Sequence, residues 1–189
     1  VLAFFDEGPF VIGTKSVLIK KPADFKGLVI RTSGHPVVVD GLKGMGASTV
    51  KLPLNEVYSG LQQGTITAVY TTFDAFVNEK MWEVAPNVLV FPSYGAYFWV
   101  ANKKWWDAQP AADQKIMSDL AVKLAKQYDT DVWANLPDYE AAVKKGGGEV
   151  NDPTKNPAEV KTFQAAMKPV IAKMRSKFGD AAVNAITGD

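Results

Sequence analysis

Residues 25–46 read FKGLVIRTSGHPVVVDGLKGMG and join a short apolar run to a proline-led segment that ends in closely spaced glycines. The run GLVIRT, residues 27–32, is rich in branched side chains, which is typical of a buried strand. The segment that starts at Pro36 predicts a helix, because proline is favoured in a first helical turn and glycines stop a helix. A strand that leads directly into a helix is a basic unit of an α/β fold.

After this unit, apolar runs typical of strands continue to alternate with segments of helical spacing. In chain order these are a strand at 48–53, a helix capped by Asn55 and ended by Gly64, a strand at 65–72, a helix at 74–85 and an extended segment at 87–104. This alternation predicts an α/β architecture with a largely parallel sheet.

The second half of the chain is dominated by helical patterns. From Pro110, apolar residues recur at helical spacing and predict one long helix, kinked at Pro137 and ended by the glycines at 146–148. The last predicted elements are a short strand at 149–153 and a helix at 157–178 that Pro169 interrupts.

Composition excludes several classes of function. The 189 residues carry 21 Lys and Arg against 20 Asp and Glu, so no basic surface for nucleic acid or an anionic membrane is expected. No apolar stretch approaches the roughly 20 residues that cross a bilayer, so we expect no membrane insertion. Zero cysteines and a single histidine exclude thiolate and histidine-cluster metal sites.

No cofactor is predicted either. The glycines of GLKGMG are spaced G-x-x-G-x-G, whereas dinucleotide-binding loops read G-x-G-x-x-G and follow a strand directly. The carboxylates show no paired spacing that singles out a general acid and a general base. These patterns single out neither a cofactor site nor a catalytic pair.

Arg31 is the unusual residue of the first strand, since it ends an apolar run in a chain with only one other arginine. Burying a guanidinium costs several kcal/mol unless it is paired, and its planar fork matches a carboxylate. Two partners remain open at this point. One is an internal Asp or Glu, and the other is a ligand carboxylate, because crevices at the carboxyl ends of strands hold ligands in open α/β sheets.

Three segments in this order resemble a known family. They are FKGLVIRTSGHPV at 25–37, GMGASTVKLPLNEVYSGLQQGTITAV at 44–69 and YFWVANKKWWDAQPAADQKI at 97–116. Together they resemble the DctP-type solute-binding proteins of tripartite ATP-independent periplasmic (TRAP) transporters, and the likeness extends over nearly the whole chain.

The resemblance implies a two-lobed α/β protein that closes over an organic acid, with crossing strands and a long helix, here residues 110–136, that spans both lobes. Residues 1–8 and 97–136 are then part of lobe 1, and residues 9–96 and 137–189 form lobe 2. Members of the family are longer at the amino-terminal end, so the chain is expected to be the C-terminal part of such a protein.

The resemblance also implies the ligand contacts. Arg31 matches the arginine that binds the ligand carboxylate, and Thr71 matches a ligand-binding asparagine. The other expected binding residues are Thr72, Ser33, His35, Leu54, Phe98 and Trp99. Leu54 and Phe10 stand where the family has a phenylalanine and an arginine, which favours an aromatic or hydrophobic monocarboxylate over a sugar acid.

The expected function is therefore a periplasmic solute-binding subunit without catalysis, with an organic acid and the membrane subunits of a TRAP transporter as partners. Two alternatives remain open. In the first, the chain is an α/β enzyme that anchors a carboxylate substrate on Arg31 and uses His35 as acid or base. In the second, it is a structural fragment in which Arg31 pairs with an internal Asp.

Overall fold

The computed structural model describes residues 1–91, 93 and 95–187. Eight strands lie within these residues: β1 Ala3–Asp6, β2 Phe10–Thr14, β3 Val29–Thr32, β4 Ser48–Lys51, β5 Ala68–Thr72, β6 Asn87–Phe91, β7 Ala96–Trp99 and β8 Glu149–Asn151. The extended segment predicted at 87–104 thus contains two strands, and its parts at Pro92 and Tyr94 lie outside the described residues.

Six strands form one mixed sheet in the order β4-β3-β5-β2-β6-β8. β3 runs parallel to β4 and β5, and β6 runs parallel to β8, as the alternating pattern predicts. β2 lies between β5 and β6 and is antiparallel to both. The α/β class is therefore confirmed, with one antiparallel strand at the centre of the sheet.

The helices follow the predicted order with several local differences. They are α1 Pro36–Gly44, α2 Val57–Gln63, α3 Phe73–Asn78, α4 Lys103–Asp107, α5 Ala111–Ala134, α6 Leu136–Lys145, α7 Pro157–Phe178 and α8 Asp180–Thr187. Short 3-10 turns occur at Pro22–Phe25, Leu54–Glu56, Met81–Glu83 and Pro153–Lys155.

Three local predictions were wrong. Asn55 does not cap α2 but lies inside the preceding 3-10 turn, although Gly64 ends the helix with φ of 78° as predicted. The helix predicted at 74–85 stops at Asn78, because Lys80 adopts a left-handed φ of 50° before a separate 3-10 turn begins. Pro169 was predicted to interrupt the last long helix, but α7 continues through it.

At Pro137, where the sequence predicts a kink in one long helix, the structure instead has two separate helices, α5 and α6. Asn135 ends α5, and Pro137 lies in the first turn of α6, where its missing N–H group costs nothing.

The six-stranded sheet is buried on both faces. One face packs Val11, Val69 and Val88 against Phe73 and Phe76. The opposite face packs Ile12, Ile30 and Leu89 against Phe25 and Phe163. Consecutive strand residues such as Val11 and Ile12 enter opposite cores because side chains alternate along a strand.

A second sheet pairs β1 with β7 in antiparallel register and lies on α5. Ala3, Ala121 and Ala125 are buried at this contact, and Phe5 packs edge-on against Trp99 and Tyr128. Three connections join this part to the larger sheet: the segments β1–β2, β6–β7 and α5–α6. None of the described helices is both long enough and apolar enough to cross a membrane.

Candidate functional site

The candidate site lies at the edge of the large sheet where β3, β4 and β5 end. These strands are parallel, so their carboxyl ends meet at one edge. Arg31 lies on β3 near this edge and is only 7% exposed. Its Nε donates a hydrogen bond of 2.8 Å to the carbonyl of Leu52, and Nη1 reaches the carbonyl of Tyr70 at 3.4 Å.

Arg31 has no acidic counter-ion among the described residues, since no Asp or Glu oxygen there lies within 4.0 Å of its guanidinium. Burial alone lowers the pKa of Arg31 below its ordinary value. The two carbonyls orient the guanidinium without neutralising it. Of the two partners that the sequence left open, an internal acid is not supplied by the described residues.

Thr71 shares the sheet face of Arg31. Arg31 is beside Val69 in the register of β3 and β5, and Thr71 is two residues further along β5, so its side chain points to the same side. Thr71 is 8% exposed, and its hydroxyl makes no hydrogen bond to the described part of the chain. It is positioned to donate to, or accept from, a group bound at Arg31.

Thr72 points to the opposite face of β5, because side chains alternate along the strand. Ser33 and His35 are exposed in the turn after β3, where Gly34 adopts φ of 92° and donates its N–H to the Thr32 hydroxyl at 3.0 Å. Ser33, His35 and Thr72 therefore lie at the same edge of the sheet as Arg31. The side chain of Thr72, however, points to the face opposite that of Arg31, and Ser33 and His35 lie in the exposed turn.

Phe98 and Trp99 belong to the other sheet. They line an apolar groove of about 510 Å³ between β7 and α5, together with Leu2, Val100, Met117, Leu120, Ala121 and Leu124. Phe98 is largely exposed, and Trp99 packs on Phe5.

A polar cluster near the connections between the two sheets was not predicted from the sequence. Burial raises the pKa of Glu7, while a hydrogen bond from Tyr97 and the nearby His35 oppose this rise. Oδ1 of Asp74 is buried without a hydrogen-bond partner in the described structure. A Cβ at Gly95 would meet Oε2 of Glu7 at 1.8 Å, so a larger residue there would displace the Glu7 carboxylate. No sequence pattern signals these contacts, because they join residues far apart in the chain.

Metal ligands are not clustered in the described part of the chain, where no group of three or more His, Cys, Asp or Glu side chains could hold an ion.

An open α/β sheet with a buried cation at the carboxyl ends of its strands is an arrangement typical of ligand-binding α/β proteins. The family described as bacterial extracellular solute-binding protein, family 7 (DctP) matches residues 1–177, so the chain belongs to this family. The resemblance noted in the sequence is thereby confirmed.

Curated relatives agree with this assignment. A solute-binding protein of Verminephrobacter eiseniae is 30% identical over 190 residues, which cover 98% of this chain and 54% of that protein. The ectoine-binding periplasmic protein TeaA of Halomonas elongata is 32% identical over 123 residues, 64% of this chain and 36% of TeaA. The chain therefore spans about half, or less, of the length of these relatives.

Solved structures show the fold. A TRAP periplasmic solute-binding protein from Ralstonia eutropha H16, with bound (S)-2-acetolactate, superposes with a TM-score of 0.89 at 22% identity, over 99% of this chain and 61% of that one. The structure of TeaA gives a TM-score of 0.85 at 23% identity, over 95% of this chain and 58% of the TeaA chain. The chain thus has the fold of TRAP solute-binding proteins.

Proposed function

We propose that this chain is part of an extracytoplasmic solute-binding subunit of a TRAP transporter, which binds an organic acid in the periplasm for uptake. The observation that carries the proposal is Arg31, a buried guanidinium held by two backbone carbonyls and lacking a described acidic partner. The relatives support it, since their printed names include proteins that bind ectoine and 2,3-diketo-L-gulonate. The partners are a small acid and the membrane subunits of the transporter, and the subunit performs no catalysis.

The carboxylate binds at Arg31, where the guanidinium donates charge-assisted hydrogen bonds to its oxygens. Thr71 supplies a hydroxyl on the same face, and Ser33 and His35 lie at the rim in the turn after β3, whereas Thr72 points to the opposite face. The ion pair gains strength when water leaves, because charges interact more strongly in a less polar surrounding.

Lobe closure provides that desolvation. We assign residues 9–96 and 137–189 to the lobe that carries Arg31, and residues 1–8 and 97–136 to part of the opposite lobe. The three connections between the two sheets support this division. Phe98 or Trp99 then approaches the ligand from the opposite lobe as the lobes close.

The test is calorimetry or an NMR titration with a panel of organic acids. Arg31→Ala is expected to weaken binding by about thirtyfold or more, since truncating one partner of a buried charge pair costs roughly 2–5 kcal/mol. Arg175→Ala is the matched control, because it removes the other arginine, which bonds to Asp180 and Asn184. If no acid binds, or if Arg31→Ala binds as well as the wild type, the proposed function is wrong.

A further inference from the structure

Two consecutive acids lie where the chain leaves the small sheet for the large one. Asp6 is the last residue of β1, and Glu7 is the first residue of the connection to β2. Both side chains are half-buried. Because consecutive side chains of an extended chain point in opposite directions, the two carboxylates reach different neighbours.

Asp6 joins this connection to the end of α5. Its Oδ2 accepts a hydrogen bond of 2.9 Å from Nε1 of Trp133, and its own N–H donates one of 2.7 Å to Oδ1 of Asp129. The second carboxylate oxygen, Oδ1, accepts from the N–H of Gly8 at 2.8 Å. Asp129 and Trp133 lie in the last two turns of α5, directly before Asn135, where the chain passes into α6. The β1–β2 connection is therefore held to the α5–α6 connection by hydrogen bonds that involve charged groups, which are the stronger kind.

Glu7 joins the same connection to the segment that enters β7. Its N–H donates a hydrogen bond of 3.1 Å to the carbonyl of Gly95, which directly precedes β7. The carboxylate lies against the same residue, since a Cβ at Gly95 would be 1.8 Å from Oε2 of Glu7. Tyr97, on β7, donates a hydrogen bond to this carboxylate. Asp6 and Glu7 thus link the first connection to both of the others.

These links matter because relative movement of two parts of a chain is absorbed by a few residues in the segments that join them. Three separate connections can bend independently, whereas connections that are bonded to one another bend together. The packing is also tight, since a Cβ at Gly8 would lie 2.3 Å from Cγ2 of Val132.

We propose that Asp6 and Glu7 form a hinge clamp, which holds the three connections together so that the two parts of the chain move as units about one axis. Both are positioning residues without a ligand contact. The inference rests on the lobe movement of the proposed function, but its test needs no ligand, so the two can fail separately.

The test measures the distance between the two parts of the chain. The sequence has no cysteine, so nitroxide labels can be attached at Lys123→Cys on α5 and Lys168→Cys on α7, both exposed positions. Double electron–electron resonance then gives the distribution of label distances without ligand. We expect one narrow distribution for the labelled parent and a roughly twofold wider one for Asp6→Ala. Trp133→Phe keeps an aromatic ring but loses the N–H donor, and it should widen the distribution in the same direction.

The link at Glu7 has its own variants. Glu7→Ala removes the carboxylate, and Gly95→Ala places a methyl group where that carboxylate lies. Each is expected to widen the distribution, and the double variant should be no wider than Glu7→Ala, because both changes break the same contact. Asp119→Ala is the matched control, since it removes an exposed acid of α5 that pairs with Lys115 away from the connections, and it should leave the width unchanged.

The outcomes separate the two proposals. If Asp6→Ala, Trp133→Phe and Glu7→Ala all keep the parent width, or if Asp119→Ala widens the distribution as much, the clamp is wrong whether or not acids bind at Arg31. If Asp6→Ala does not fold, Trp133→Phe decides, because it removes one hydrogen bond and keeps the ring. Widening in the clamp variants supports the clamp even if no acid binds to the wild type, in which case the proposed function alone fails.

Discussion

Nε of Arg31 donates a 2.8 Å hydrogen bond to the carbonyl of Leu52, so the backbone at the end of β4 orients the guanidinium. A carbonyl directs a cation without cancelling its charge. The described part of the chain therefore retains a desolvated positive group at a sheet edge, an arrangement that lowers stability and favours an anionic ligand.

The first prediction concerns the free-energy cost of burying the charge of Arg31. Replacing a buried, unpaired charge by an apolar side chain of similar length relieves desolvation, so Arg31→Met is expected to raise the free energy of unfolding by about 1 kcal/mol or more. Urea denaturation without ligand measures the change. Arg175→Met serves as the control, because Arg175 has an acidic partner in Asp180 and gains nothing from losing its charge. A clear loss of stability in Arg31→Met would show that the hydrogen bonds to the carbonyls of Leu52 and Tyr70 outweigh the desolvation cost of the charge.

The second prediction concerns alkaline pH. Burial raises the pKa of Tyr70 to about 12, while a 3.0 Å hydrogen bond with Ser93 opposes this rise. Above pH 10 the unfolded chain releases this proton while the folded chain keeps it, so the contribution of Tyr70 is complete below pH 10 and is lost as pH rises toward 12.

The expected slope from Tyr70 is at most about 1.4 kcal/mol per pH unit. Tyr70→Phe removes the phenol, and its unfolding free energy should fall less steeply than that of the wild type between pH 10 and 12. Other tyrosines are common to both proteins and cancel in the difference. Parallel curves of unfolding free energy against pH for the two proteins would contradict the raised pKa of Tyr70.

Local sequence patterns predicted most helices and the parallel strands. These elements depend on residue spacing and on residues that start or end helices, such as Pro36 and Gly64. They missed β2, whose FVIGT contains a glycine that weakens a strand pattern. The reason for Gly13 is tertiary, since a Cβ there would lie 2.2 Å from the ring of Phe76. A single sequence does not show that contact.

The candidate site divides in the same way. Arg31 drew attention because it is a charged residue at the end of an apolar strand, whereas Thr71 was predicted only from the family resemblance. The position of Val50 beside Arg31 was not predicted, because it depends on the register of two strands. The partnerless Oδ1 of Asp74 follows from burial by distant segments, which strand and helix patterns do not encode.

The third prediction tests the packing of the connection between β1 and β2. Gly8 has φ of 77°, and a Cβ there would lie 2.3 Å from Cγ2 of Val132, whereas Gly27 has φ of 82° with no atom within 4 Å. Gly27→Ala is therefore expected to cost only the left-handed backbone strain, about 1–2 kcal/mol. Gly8→Ala adds a steric overlap that costs a further 1–3 kcal/mol or so, measured by urea denaturation.

Combining Gly8→Ala with Val132→Ala removes the overlap, so the double variant should lose less stability than the sum of the two single changes. Equal losses in Gly8→Ala and Gly27→Ala would mean that the connection can move away from α5 without cost.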